Sequence, residues 1–233
     1  MNIKIFYRRN ARRITARRCS DGSVRITVPY GFDIVSNKSI LDSLIERINQ
    51  ATASEPERKA LFFNGCKLEL EGITFYINYT SKNTTTISAT YQQLDGHTSG
   101  YIYVPHTLDF EDINTEKRIS DMMIRIAAKV GDGVILQRAK DISLRLNVHP
   151  KKWKIGRGHR TLGTCHPDGS ITLSALLVFL PAELQEFVIC HELAHLSEMN
   201  HSERFHNLCN SYLKGRETEL MRQLKTYHWP IRR

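Results

Sequence analysis

Short alternations of apolar and polar residues open the chain. Ile3 to Val28 reads as strands: Ile14 to Cys19 alternates loosely, Ser20-Asp21-Gly22-Ser23 carries turn chemistry, and Val24 to Val28 alternates at period two before Pro29. The pattern predicts a β-hairpin with arginines on its exposed side. From Ile34 to Gln50, the residues Ile40, Leu41, Leu44, Ile45 and Ile48 recur at helical spacing, with Asn37 or Ser39 available as a cap. Ala51 to Glu57 breaks the pattern like a linker. Four β-like runs follow, at Lys67–Leu70, Ile73–Tyr79, Thr84–Tyr91 and Tyr101–Val104, with turn signals at Asn64-Gly65, Glu71-Gly72, Ser81-Lys82-Asn83 and Asp95-Gly96. Tyr76, Tyr79, Tyr91, Tyr101 and Tyr103 are expected to pack across these strands.

The periodicity changes at Asp112. Ile119, Met122, Met123, Ile126, Ala127 and Val130 predict a helix that starts near Asn114 or Thr115. Val134 to Leu146 reads as a second helical segment after the Gly131-Asp132-Gly133 break. Lys151 to Ile155 reads as a short strand, Gly156 to Gly169 as a loop, and Ser170 to Phe179 as a strand. Pro181 then opens a long helix, followed by helices over Arg204–Leu213 and Glu217–Lys225. The class is α+β, with two expected domains. Residues 1–111 would form a β-rich part with a basic hairpin and one helix, and residues 112–233 a helical domain with a small sheet.

The helix after Pro181 carries the chemistry. His191 and His195 stand four apart, so a helix places them roughly 40° apart on one face, where two imidazoles can grip one divalent ion. Glu192 projects roughly 100° round from His191, able to reach a water on that ion without being a ligand. This is the HExxH arrangement, with Glu192 as general base. Ten His and fourteen Glu scattered at random over 233 residues would produce it only about 0.03 times, so chance is a poor rival. A catalytic zinc site needs a third protein ligand and an open position. His201 leads, ahead of Glu198 and His206. A straight helix would carry His201 roughly 600° round from His195, so the chain must bend after Glu198. Met199-Asn200 is the expected turn, with Asn200 left-handed.

Composition excludes some classes. No apolar run approaches the roughly 20 residues that span a bilayer, and the first residues lack the apolar core of a signal peptide. Cys19, Cys66, Cys165, Cys190 and Cys209 form no CxxC pair, which fits reduced thiols in a cytoplasmic protein. The net charge of +9 admits an acidic partner such as nucleic acid or a nucleotide. Its cations concentrate at Arg8, Arg9, Arg12, Arg13, Arg17 and Arg18, and at Lys151, Lys152, Lys154, Arg157 and Arg160.

Three segments together resemble the YgjP-like metallopeptidases, relatives of the SprT- and WLM-type zinc proteins. They are His191-Glu-Leu-Ala-His195 with Asn200-His201-Ser202 and Phe205, the Gly163-Thr164-Cys165 loop leading into Gly169–Leu173, and the basic hairpin with Arg12-Arg13 and Asp21-Gly22. The resemblance implies a zincin-like catalytic domain, Zn2+ on His191, His195 and His201, Glu192 as catalytic base, and a peptide or protein substrate. This chain departs from the family's usual Arg-Trp-Gly-Ser-Cys loop, with Thr161-Leu162-Gly163-Thr164-Cys165 in its place, and from the Trp that usually follows the Phe, with His206 there. Arg160, His206 and Tyr212 are candidates for stabilising the oxyanion. The strand from Ser170 offers an edge to which an extended peptide can add. Two other readings keep the metal: a nucleotide phosphoanhydride hydrolase using Lys151, Lys152, Lys154 and Arg157, and a nucleic-acid-associated protease using the arginine-rich hairpin.

Overall fold

The computed structural model describes residues 3–9, 11, 13–18, 23–53, 59–158 and 161–233. The chain divides into two compact units, residues 1–59 and 60–233. The boundary expected after residue 111 lies within the second unit, where residues 88–104 pack on the helix that follows it.

In the first unit, β1 (Ile3–Arg8) pairs parallel with β3 (Val24–Pro29), and β2 (Thr15–Arg18) pairs antiparallel on the other side of β3. The period-two pattern of β3 sends Val24, Ile26 and Val28 inward, where they are fully buried. Leu41 of α1 (Lys38–Ala53) completes this small core. The turn residues Ser20 to Gly22 lie outside the described residues.

The second unit holds the larger core. β4 (Cys66–Leu70), β5 (Ile73–Tyr79), β6 (Ser88–Leu94) and β7 (His97–Val104) form a sheet ordered β4-β5-β7-β6, with only β5 and β7 parallel. Its inner face (Ile73, Phe75, Ile77, Ile102 and Val104) is buried against the helical layer. Gly100 is small by necessity, since a Cβ there would lie 2.7 Å from the Phe75 ring.

α2 (Ile113–Gly131) starts one residue after Asp112, whose carboxylate accepts from Thr115 N at 2.9 Å. Asp112 is thus the cap, and the helix begins at Ile113, beside the expected Asn114 or Thr115. Gly131-Asp132-Gly133 does not break the helix: a π-helical segment, Asp132–Leu136, carries it into α3 (Gln137–Leu146). A Cβ on Gly131 would meet the Ile155 side chain at 3.2 Å, so this glycine admits a neighbouring strand. α3 ends on a left-handed Asn147.

That neighbour is β8 (Lys152–Gly156), in a sheet ordered β8-β10-β9 with β9 (Gly163–Cys165) and β10 (Ser170–Ser174). β10 is therefore central and has no free edge, which corrects the expectation that it would accept a peptide. The strand also stops at Ser174, whose hydroxyl caps a buried 3-10 turn, Ala175–Phe179. Phe179 then anchors the chain's far end, its carbonyl accepting from the Tyr227 hydroxyl at 2.7 Å. α4 (Ala182–Ala194), α5 (Glu203–Tyr212) and α6 (Glu217–Thr226) follow. Among the described residues no helix is long and apolar enough to cross a membrane.

Candidate metal centre

α4 is buried nearly all round, with Leu184, Phe187, Val188, Ile189, Cys190, Leu193 and Ala194 inside the core. Its last turn brings His191 to the edge of that core and keeps Glu192 within it. The helix ends at Ala194 through tightened bonds, Leu196 N to Leu193 O and Ser197 N to Ala194 O. It thus turns earlier than Glu198, and no left-handed residue is used there: among described non-glycines only Asp95, Asn147 and Lys214 have positive φ. Ser202 restarts the chain as the cap of α5, accepting from Phe205 N.

This reversal returns His201 to the end of α4. Its Nε2 lies 3.1 Å from Nε2 of His191. One ring nitrogen from each of His191, His195 and His201 falls within 4.8 Å of the others. Tetrahedral coordination with bonds of 2.0–2.1 Å separates donors by about 3.3 Å, so the donor set fits one small cation. Nδ1 of His195 donates to the Glu198 carbonyl at 3.1 Å, leaving Nε2 as the nitrogen that could hold a metal ion. Glu198 thus supplies its backbone here, and it belongs to neither group of potential ligands among the described residues. Phe205, fully buried, forms the floor: its ring centroid lies 4.9, 4.5 and 4.7 Å from those of His191, His195 and His201.

Burial sets the protonation states. It drives His191 down to about 4, helped by the other imidazoles, His195, His201 and His206. It also lowers His195, against the pull of the Glu198 carbonyl. Both rings are therefore neutral at pH 7 with lone pairs to give, as metal binding requires. Glu192 responds oppositely: burial raises its carboxyl to about 7, while a hydrogen bond from the Cys165 backbone N–H pulls it down. A cation beside it would lower that value and restore the carboxylate.

β9 is the wall that holds Glu192. A Cβ on Gly163 would lie 2.4 Å from Glu192 Cγ and 2.5 Å from Oε1. Only glycine lets the strand pass the carboxylate so closely. That role is hidden in the sequence, where Gly163 reads as loop punctuation. Of the other expected residues, His206 stands beside the triad, its ring 6.4 Å from that of His201. Tyr212 lies elsewhere, on a cleft with Arg145, Glu183 and Glu186. Arg160 is outside the described residues. Cys190 is no nucleophile: burial pushes its thiol up to about 12.

With this geometry in hand, comparison with known families is informative. A family model described as YgjP-like, metallopeptidase domain, matches residues 12–227. The chain belongs to this YgjP-like family. Membership in a metallopeptidase-domain family points to a hydrolase that uses a metal ion on a peptide or protein substrate. No curated protein and no solved structure gives a match.

Two predictions test the packing around Glu192 without any assay of activity. A carboxyl raised from 4.5 to about 7 carries no burial penalty below pH 4.5 and the full penalty above pH 7. In metal-free protein Glu192→Gln should therefore add up to about 3 kcal/mol of stability at pH 8 and little at pH 4.5. Urea unfolding in chelator at the two pH values checks this, and an equal effect at both would contradict it. Gly163→Ala should cost about 1–3 kcal/mol in the native background and much less alongside Glu192→Ala; a double-mutant cycle reads the difference, and additive costs would refute the contact.

Proposed function

We propose that this YgjP-like protein is a zinc-dependent peptidase in which His191, His195 and His201 hold the ion and Glu192 is the general base. The supporting observation is the convergence of three imidazole nitrogens at the end of the helix that also carries the buried Glu192. A compact set of three imidazole donors suits zinc among the common cations, and three ligands leave its fourth position open. When bound, zinc polarises the scissile carbonyl and lowers the pKa of water to about 7.

The chain's own residues do the rest. Glu192, held between α4 and β9, takes the proton of the attacking water at its carboxylate and returns it to the leaving amine. Its environment suits both transfers, because its protonated and ionised forms lie close in free energy near neutral pH. The wall of β9 shields the buried Glu192 carboxylate from bulk water, while His201 stays exposed. An extended peptide would lie along β9, the edge strand nearest Glu192, in place of β10. His206 is half exposed beside His201 with its Nδ1 engaged by Glu217, so its Nε2 is the atom that can meet the substrate oxygen.

The cations that would hold phosphates give no support to nucleotide hydrolysis. Lys152 and Lys154 lie on β8, separated from β9 by the whole of β10, roughly 10 Å at ordinary strand spacing.

Glu192→Ala should retain one zinc per chain and lose at least about 100-fold in peptide turnover. His195→Ala should lose both zinc and turnover. Elemental analysis beside a quenched-peptide assay separates these outcomes, and full turnover by Glu192→Ala would remove the carboxylate from its role.

A further inference from the structure

Behind the triad lies a buried carboxylate whose one part in the mechanism so far is its bond to His206. Glu217 opens α6, where an acidic residue ordinarily faces water, yet it is 2% exposed. Its Oε1 accepts from His206 Nδ1 at 2.8 Å and its Oε2 from Asn210 Nδ2 at 3.3 Å. Asn210 also accepts the Glu217 backbone N–H at 3.2 Å, clamping the residue from both ends. The Cys209 thiol donates to the same carboxylate.

His191 supplies the second observation. Its Nδ1 is buried and has no hydrogen-bond partner. One ring nitrogen of His191, the Cys209 sulfur and a Glu217 oxygen all lie within 4.8 Å of one another. Nε2 of His191 faces His201, so Nδ1 is the atom left for this inner group. An imidazole that gives Nε2 to a metal must carry its hydrogen on Nδ1. A buried N–H without an acceptor is destabilising, and Cys209 and Glu217 are the acceptors at hand.

We propose that Glu217 is the positioning residue of this centre, orienting two imidazoles from behind: His206 directly, and His191 through the Cys209 thiol when a metal occupies Nε2. The thiol accepts from His191 Nδ1–H and donates its own hydrogen to Glu217, so every donor in the chain meets an acceptor and no proton changes owner. A small closure of the 4.8 Å cluster completes it. The bond to His206 leaves that ring's Nε2 turned outward. The part of this proposal that concerns His191 rests on the zinc-peptidase reading; the part that concerns His206 does not.

Zinc affinity by chelator competition at pH 7.5 tests it, on the full chain and on Glu217→Gln, with Glu219→Gln as a control on the same helix. Loss of a buried partner to a ligating imidazole weakens metal binding about 10–100-fold. That loss is expected for folded Glu217→Gln, with Glu219→Gln at the native value. Equal affinity in folded Glu217→Gln and native protein overturns the proposal. Should Glu217→Gln fail to fold, the 15N-histidine spectrum of native zinc-loaded protein decides. Slowly exchanging Nδ1–H signals from both His191 and His206 are expected, and a rapidly exchanging His191 Nδ1–H or a His206 bearing its proton only on Nε2 overturns it. Native protein that takes up no zinc would instead remove the peptidase reading and with it the role assigned at His191.

Discussion

Crowding three imidazoles against one phenyl ring is the constraint on which the second unit's architecture turns. Their nitrogens sit within 4.8 Å of one another, and His191 is driven to about 4 by loss of water and by the other rings. Nε2 of His191 faces Nε2 of His201 at 3.1 Å. Such an arrangement gains its stability from the helices beneath it. α4 is apolar on nearly every face and locked by the core, and Phe205 reaches the rings from α5. The small cluster tolerates its lone pairs because the surrounding core is rigid.

The same economy of space explains β9. Glu192 is buried beside the rings, and its carboxylate receives one backbone N–H from Cys165. Gly163 passes it at a distance no side chain could occupy. A carboxyl pushed to about 7 in that pocket is unstable as an anion until a positive charge arrives, so an ion at the triad and ionisation of Glu192 would be mutually reinforcing. The fold thus couples the proposed base to the proposed metal through electrostatics, with no direct bond between them.

Much of this was legible in the chain, and the failures have particular causes. The period of four between His191 and His195 marks one helix face in any context, so that pair was readable. The alternation in β3 and the helical spacing of α2 were equally plain, because each buries a single face. Gly131-Asp132-Gly133 misled because glycine at a helix break and glycine at a close approach to Ile155 look alike in one dimension. The edge of the small sheet was misplaced because strand order depends on pairing between β8 and β10, which no local pattern encodes. Glu217 was invisible as a partner because an acidic residue at a helix start has an ordinary local reason to be there.

X-ray absorption at the zinc edge of the metal-loaded protein tests the central claim most directly. Three nitrogen scatterers and one oxygen at about 2.0–2.1 Å, with no sulfur, are predicted. A sulfur shell at about 2.3 Å, or fewer than three imidazoles on the ion, would contradict the assignment of His191, His195 and His201 as its protein ligands.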